Sequence, residues 1–264
     1  LKKIINFRVI NFIKYYFTLI LYFYGHKRVN INFKNFYNFD NDFQYSFKEL
    51  QSFSLKNEFK YKTSQNSEST SLKDQYIISK ILSLTKPKNI LEIGTFSGET
   101  TLIISETLYK LNINHMIDTI DLLDVNKHIK ENFLFVNHSI NKTPLDAFIE
   151  KGLENNVKFI KTDSKNFFRN NIKFYDLIFI DGSHRYNDVI FDIVSSINIL
   201  NNRGLILVHD YYNYFNETNP KKILTFGPYF ALKKITKQDS KIKILEFKYL
   251  FKSNSSLVAL QNIN

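Results

Sequence analysis

Residues 89–98 constrain the fold more than any other stretch. Asn89–Ile93 is an apolar run with one acid, Glu92, and Pro87 bounds it upstream. That pattern predicts a strand buried in a parallel sheet. Gly94 and Gly98 follow at once, then Glu99 and an apolar-periodic stretch through Leu108. The unit is therefore strand, glycine turn, helix. Glycine permits a tight turn and the close approach of a ligand to the backbone. The first N–H groups of the helix face an electron-rich ligand. The spacing is Glu-x-Gly-x-x-x-Gly, without the third glycine of a dinucleotide-binding loop. A plain strand-to-helix connection fits these ten residues as well, so the rest of the chain has to decide.

The next strands carry acids at their ends. His115–Asp121 predicts a second strand, and Asp121 lies 23 residues after Gly98. An acid at the tip of the second parallel strand can accept hydrogen bonds from both ribose hydroxyls of a nucleoside. A solvated acid at a strand end is the competing explanation. Residues 122–142 lack a sustained period and read as an insertion, with His128 and His138 on the surface. Thr143-Pro144-Leu145-Asp146 has the pattern of a helix start: capping hydroxyl, proline first, acid third. That helix is expected to run to about Asn155. Val157–Lys161 predicts the third strand, and Asp163 follows as either a site residue or a helix N-cap.

Asp176–Asp181 predicts a fourth strand ending in an acid. Gly182-Ser183-His184-Arg185-Tyr186 follows, and then a helix with Val189, Ile190, Ile193, Val194, Ile197 and Leu200 on its buried face. Gly204 is expected to end that helix. Leu205–Val208 is the fifth strand and closes on His209-Asp210-Tyr211.

With these motifs in place, the chain resembles the class I S-adenosylmethionine (SAM)-dependent methyltransferases. Glu-x-Gly-x-x-x-Gly at 92–98 has the form of their first motif. Asp-Gly-x-His-x-Tyr at 181–186 and His-Asp-Tyr at 209–211 resemble a subgroup related to macrolide and sugar O-methyltransferases. The resemblance covers about residues 71–260. It implies an α/β fold with a Rossmann-like, seven-stranded, mostly parallel sheet. A C-terminal antiparallel hairpin is expected from Lys241–Phe247 and Ser256–Leu260. It also implies that Glu92, Gly94, Thr95, Phe96, Ser97, Gly98, Asp121, Asp163 and Asp181 hold SAM. Asp181, His184, His209 and Asp210 would converge at neighbouring strand tips and act on the acceptor. Residues 211–240, with Tyr211, Tyr212, Tyr214, Phe226 and Tyr229 around Gly227-Pro228, would shape the acceptor site.

SAM carries an activated methyl group, so the difficulty lies with the acceptor's proton. Two solutions are open. Asp181, His209 and Asp210 could hold Mg²⁺ or a similar cation that lowers the hydroxyl pKa. His is a less usual ligand for Mg²⁺ than for transition metals. Alternatively, His184 or His209 is a metal-free general base. A structural role for each ring competes with both.

Composition excludes several other classes. There are no cysteines, hence no disulfides, thiolate metal sites or cysteine nucleophiles. The net charge is +11, but residues 1–65 hold 11 Lys/Arg and 4 Asp/Glu, which is +7 of it. A basic nucleic-acid-binding body is therefore not expected. Residues 1–70 read as an accessory segment and 71–264 as the methyltransferase domain. Tyr15–Tyr24 is an uncharged run of ten residues, too short to span a bilayer, flanked by Lys and Arg. It would suit a helix lying on an anionic membrane surface through residues 1–30, or one packed on the domain or a second subunit of a homo-oligomer. A secretory signal is not expected. The expected product is a cytoplasmic enzyme, membrane-associated or not, acting on a small hydroxylated acceptor such as a sugar. The rivals are an aminopropyl transferase, a dehydrogenase and a non-catalytic, membrane-associated SAM-fold protein.

Overall fold

The computed structural model describes residues 70, 72–127, 143–212, 226–238, 242–246 and 257–262. The expectations for residues 1–69, His128, His138 and Tyr214 lie outside the described residues. The described chain falls into two compact units, one ending at Tyr175 and one beginning at Asp176.

The first unit begins with α1 (Leu72–Thr85), β1 (Asn89–Ile93), α2 (Glu99–Lys110) and β2 (Met116–Asp121). It continues with α3 (Pro144–Glu150), a single 3-10 turn (Glu154–Asn156), β3 (Val157–Lys161) and α4 (Ser164–Asn170). Its strands lie in the order β3-β2-β1, and both pairings are parallel. Ile77, Ile78, Ile81 and Leu82 form the buried face of α1, as the 3.6-residue period predicts. Ile90 and Leu91 of β1 and Ile117 and Ile120 of β2 are also buried. Each such side chain contributes roughly 1.5–3 kcal/mol on burial.

Thr143 caps α3 with its hydroxyl on the Asp146 N–H (3.2 Å), and the Asp146 carboxylate accepts the Thr143 N–H (2.8 Å). The helix ends earlier than expected, at Glu150, and only the 3-10 turn continues toward Asn156. Gly152, in the left-handed region at φ +65°, breaks the run between them.

The second unit holds β4 (Tyr175–Ile180, all but its first residue), α5 (Tyr186–Asn198), β5 (Leu200–Val208), α6 (Phe226–Gln238), β6 (Ile242–Glu246) and β7 (Val258–Asn262). Its strands lie in the order β4-β5-β7-β6. β7 runs antiparallel to both β5 and β6, so the C-terminal antiparallel pair is present. Gly204 does not end a helix: β5 already begins at Leu200 and contains it. Arg203 takes φ +65° within the strand, and a Cβ on Gly204 would come within 2.6 Å of the Leu200 side chain. The strand thus bends tightly back on Leu200, a geometry hidden behind the polar run Asn201–Arg203.

Thr143→Ala removes the hydroxyl that caps the Asp146 N–H and its own bond to the Asp146 carboxylate, and leaves the backbone N–H bond of residue 143 in place. Urea unfolding should show a loss of about 1 kcal/mol; an unchanged midpoint would mean that the capping box is not holding α3.

Candidate functional site

The glycine turn is fixed from below and from the side. Glu92 is fully buried in β1, and its Oε2 accepts hydrogen bonds from the hydroxyls of Thr101 on α2 and Thr119 on β2 (2.5 Å for Thr119). Since Thr119 spends its one proton on Glu92, the Thr95 hydroxyl donates to Thr119 (2.6 Å). A buried carboxylate needs such donors. Glu92 therefore frames the turn from inside, whereas the resemblance places it on the cofactor. Thr101 and Thr119 were not singled out by the sequence, because hydroxyl partners of a buried acid leave no motif.

Asp121 closes the turn from the side. Its Oδ2 accepts the N–H groups of Thr95 (3.1 Å) and Phe96 (3.0 Å), and its Oδ1 accepts that of Leu123 (2.9 Å). Gly94 (φ +98°) and Gly98 (φ +71°) both take left-handed backbone. Gly98 has a second constraint: a Cβ there would lie 2.6 Å from the Pro144 side chain. Gly98 is also the N-cap of α2, with no side-chain cap on the helix's first N–H groups. Phe96 and Ser97 are exposed at the turn's tip.

Asp163 serves as a helix cap in the fold. It is the N-cap of α4, accepting the Asn166 N–H at 2.8 Å. That hydrogen bond holds its carboxyl below the usual range. His115, another histidine of this unit, is structural. Its Nδ1–H donates to the Ile113 carbonyl (2.8 Å), which leaves Nε2 to accept from Ser105 (2.9 Å). Burial pushes its pKa down.

The second unit brings the other four predicted residues together. The His184 Nε2–H donates to Asp210 Oδ2 at 2.5 Å, and the His209 Nδ1–H donates to Asp181 Oδ1 at 3.2 Å. The His209 backbone N–H also bonds the Ile180 carbonyl (3.0 Å), tying the end of β5 to the end of β4. Asp210 is buried and sits at φ +56°. A left-handed aspartate is an uncommon conformation of a kind that collects at functional sites.

Asp181, His184 and Asp210 place one possible ligand atom each within 4.8 Å of one another. The expected ligand set was Asp181, His209 and Asp210; the three residues whose ligand atoms gather in the structure are Asp181, His184 and Asp210. The reason is direction. His209 is buried, with Nδ1 turned to Asp181 and its ring 6.0 Å from that of Phe179. His184 is partly exposed at the mouth of the cluster.

Gly227, named in the sequence only within the stretch expected to shape the acceptor site, sits against His184. A Cβ there would fall 2.0 Å from the His184 carbonyl oxygen, so the first turn of α6 packs directly on the His184 backbone. The rings of Tyr211 and Tyr229 lie 5.3 Å apart, tilted at 47° to each other.

Comparison with known proteins bears on the fold. Residues 91–211 match a family described as a methyltransferase domain. No curated protein matches the chain. Among solved structures, the SAM-bound O-methyltransferase TomG of Streptomyces achromogenes is 13% identical, with 74% of this chain and 82% of that one covered at a TM-score of 0.54. The S-adenosylhomocysteine (SAH)-bound O-methyltransferase of Bacillus cereus is 11% identical, covering 75% and 84% at 0.52. The SAH-bound methyltransferase PaMTH1 of Podospora anserina is 18% identical, covering 88% and 92% at 0.51. The fold is that of class I methyltransferases.

His184 gives a pH test. Burial opposes its charged form, but the hydrogen bond to Asp210 and the charges of Asp210 and Asp181 outweigh burial and the opposing charge of His209. Its folded pKa is therefore raised. The stability it supplies is complete below the free-histidine value of about 6.5 and is lost as pH rises through the folded value. With chelator present, the Tm of His184→Gln should lie below wild type near pH 6 and converge on it in alkali. A gap that is constant with pH would contradict the ion pair.

Proposed function

We propose that this chain is a SAM-dependent methyltransferase that methylates a hydroxyl oxygen of a small acceptor, with a sugar or glycosylated metabolite as the leading class. The observation that carries the reading is the clasp of Asp121 on the Gly94–Gly98 turn, within the stretch matched to a methyltransferase domain. When bound, SAM supplies an electrophilic methyl group to an oxygen nucleophile.

The residues present fit that donor. The uncapped start of α2 and the glycines at 94 and 98 let backbone approach a ligand. Asp121 offers a carboxylate at the tip of β2. A carboxylate has roughly four lone-pair positions, and three amide donors are already in place. Asp121 thus accepts one ribose hydroxyl as it stands, and accepts two by releasing Thr95 or Phe96. The exposed Leu122 and Phe96 provide apolar surface beside it. Asp163 caps α4 through Asn166 and keeps lone-pair positions that a base could meet.

On the acceptor side, Asp181, His184 and Asp210 are the residues that would hold a divalent cation, which lowers the pKa of a bound hydroxyl. His209 keeps Asp181 turned toward the cluster. The metal-free alternative makes His184 the general base. Its bond to Asp210 favours the protonated ring, and this weakens it in that role at neutral pH. Among the described residues, no helix is long and apolar enough to cross a membrane.

Calorimetry with SAH tests the reading. Wild type should bind in the micromolar range. Asp121→Ala should lose 10- to 100-fold, the cost of a charged hydrogen bond and its loop support (about 1.5–3 kcal/mol). Gly98→Ala should fail to bind, since it adds both a Pro144 clash and a strained φ. No binding by wild type would overturn the assignment.

A further inference from the structure

We propose that the Asp181–His184–Asp210 cluster selects a divalent transition-metal cation over Mg²⁺, with His184 Nε2 as a direct ligand and His209 as the residue that positions Asp181. The proposal rests on the methyltransferase reading only for what the cation would do, not for its binding.

The donor set argues first. Three residues bring one imidazole nitrogen and two carboxylate oxygens within 4.8 Å of one another. Mg²⁺ takes oxygen ligands and keeps much of its water, whereas imidazole suits Zn²⁺, Cu²⁺, Fe²⁺ and Ni²⁺. Mn²⁺, though it favours oxygen, belongs to the same first-row series. An oxygen-only site at this strand end would need nothing from residue 184. Here the ring nitrogen points into the cluster, against Asp210 Oδ2.

The second argument is that each donor is held separately. The His184 backbone cannot back away, because the Cα of Gly227 on α6 closes on its carbonyl oxygen. Asp181 is held by the Nδ1–H of His209 at 3.2 Å. His209 is itself anchored by its backbone bond to Ile180 and by burial against Phe179. Asp210 is buried and fixed in left-handed backbone. A hydrogen bond from a neighbouring ring to a ligating carboxylate is the support that orients metal ligands. His209 Nδ1 lies 3.2 Å from Asp181 Oδ1 and 3.5 Å from Asp210 Oδ1, which gives it the role of orienting the carboxylates.

The test uses the full chain, stripped of metal and titrated with Mn²⁺ or Mg²⁺. Mn²⁺ should bind at least tenfold more tightly than Mg²⁺. Electron spin echo spectra of the Mn²⁺ complex should show coupling to one imidazole ¹⁴N. His184→Gln should abolish that coupling and lower Mn²⁺ affinity tenfold or more, with little change for Mg²⁺. His209→Gln should keep the ¹⁴N coupling while weakening both cations, the signature of a lost positioning contact. The proposal is overturned by Mn²⁺ bound without ¹⁴N coupling, by coupling that survives His184→Gln, or by no Mn²⁺ binding at millimolar concentration. SAH calorimetry on the same preparation separates the two failures: lost metal selectivity with intact SAH binding removes this inference and leaves the methyltransferase reading standing.

Discussion

The first unit depends on a carboxylate that has no water to turn to. Glu92 is fully buried, and two threonine hydroxyls from different elements meet on one of its oxygens. Left without them, a buried charge of this kind would cost several kcal/mol. With them, it ties β1 to β2 and to the helix that follows the turn. Thr95 extends the same network through Thr119 into the turn itself. Gly94 and Gly98 follow this frame through left-handed backbone, which costs a residue without a Cβ little. Asp121 then completes the enclosure from outside, and the surface it shares with Thr95 and Phe96 is where a nucleoside would be read.

The second unit solves a related problem with different groups. Two strands end side by side, each in an acid, and two like charges need cations or protons between them. His184 meets Asp210, and His209 Nδ1 lies between Asp181 Oδ1 (3.2 Å) and Asp210 Oδ1 (3.5 Å). The division of labour follows from burial. The buried ring is committed to holding its acid, while the partly exposed ring stands where an incoming ligand would meet it. Gly227 adds a link of a different kind. It lets α6, the helix after residues 213–225, rest on the backbone of His184 with no side chain between them.

Much of this was legible in the chain. The strand, glycine turn and helix at 89–108 have a hydrophobic period and turn residues that permit few alternatives. The box at Thr143–Asp146 is a local motif, and local motifs survive into the fold. Asp163 could be read two ways from sequence, since the same short acid serves a cap or a ligand; only the position of the Asn166 N–H decides. The choice between His184 and His209 was not legible at all. It turns on which way a side chain leaves a strand end, and on the left-handed φ of Asp210, which no residue pattern announces. The early start of β5 was hidden for a similar reason, because Arg203 takes a conformation expected of glycine one residue before Gly204.

The central claim is that the turn at 94–98 and the tip of β2 form one preassembled nucleoside site. Amide hydrogen exchange with and without SAH tests it most directly. The account requires added protection in Glu92–Thr101 and Thr119–Leu123, with Thr95 and Phe96 already slow in the free protein because Asp121 holds their N–H groups. Protection confined to other segments, or fast exchange at Thr95 and Phe96 in the free protein, would contradict it.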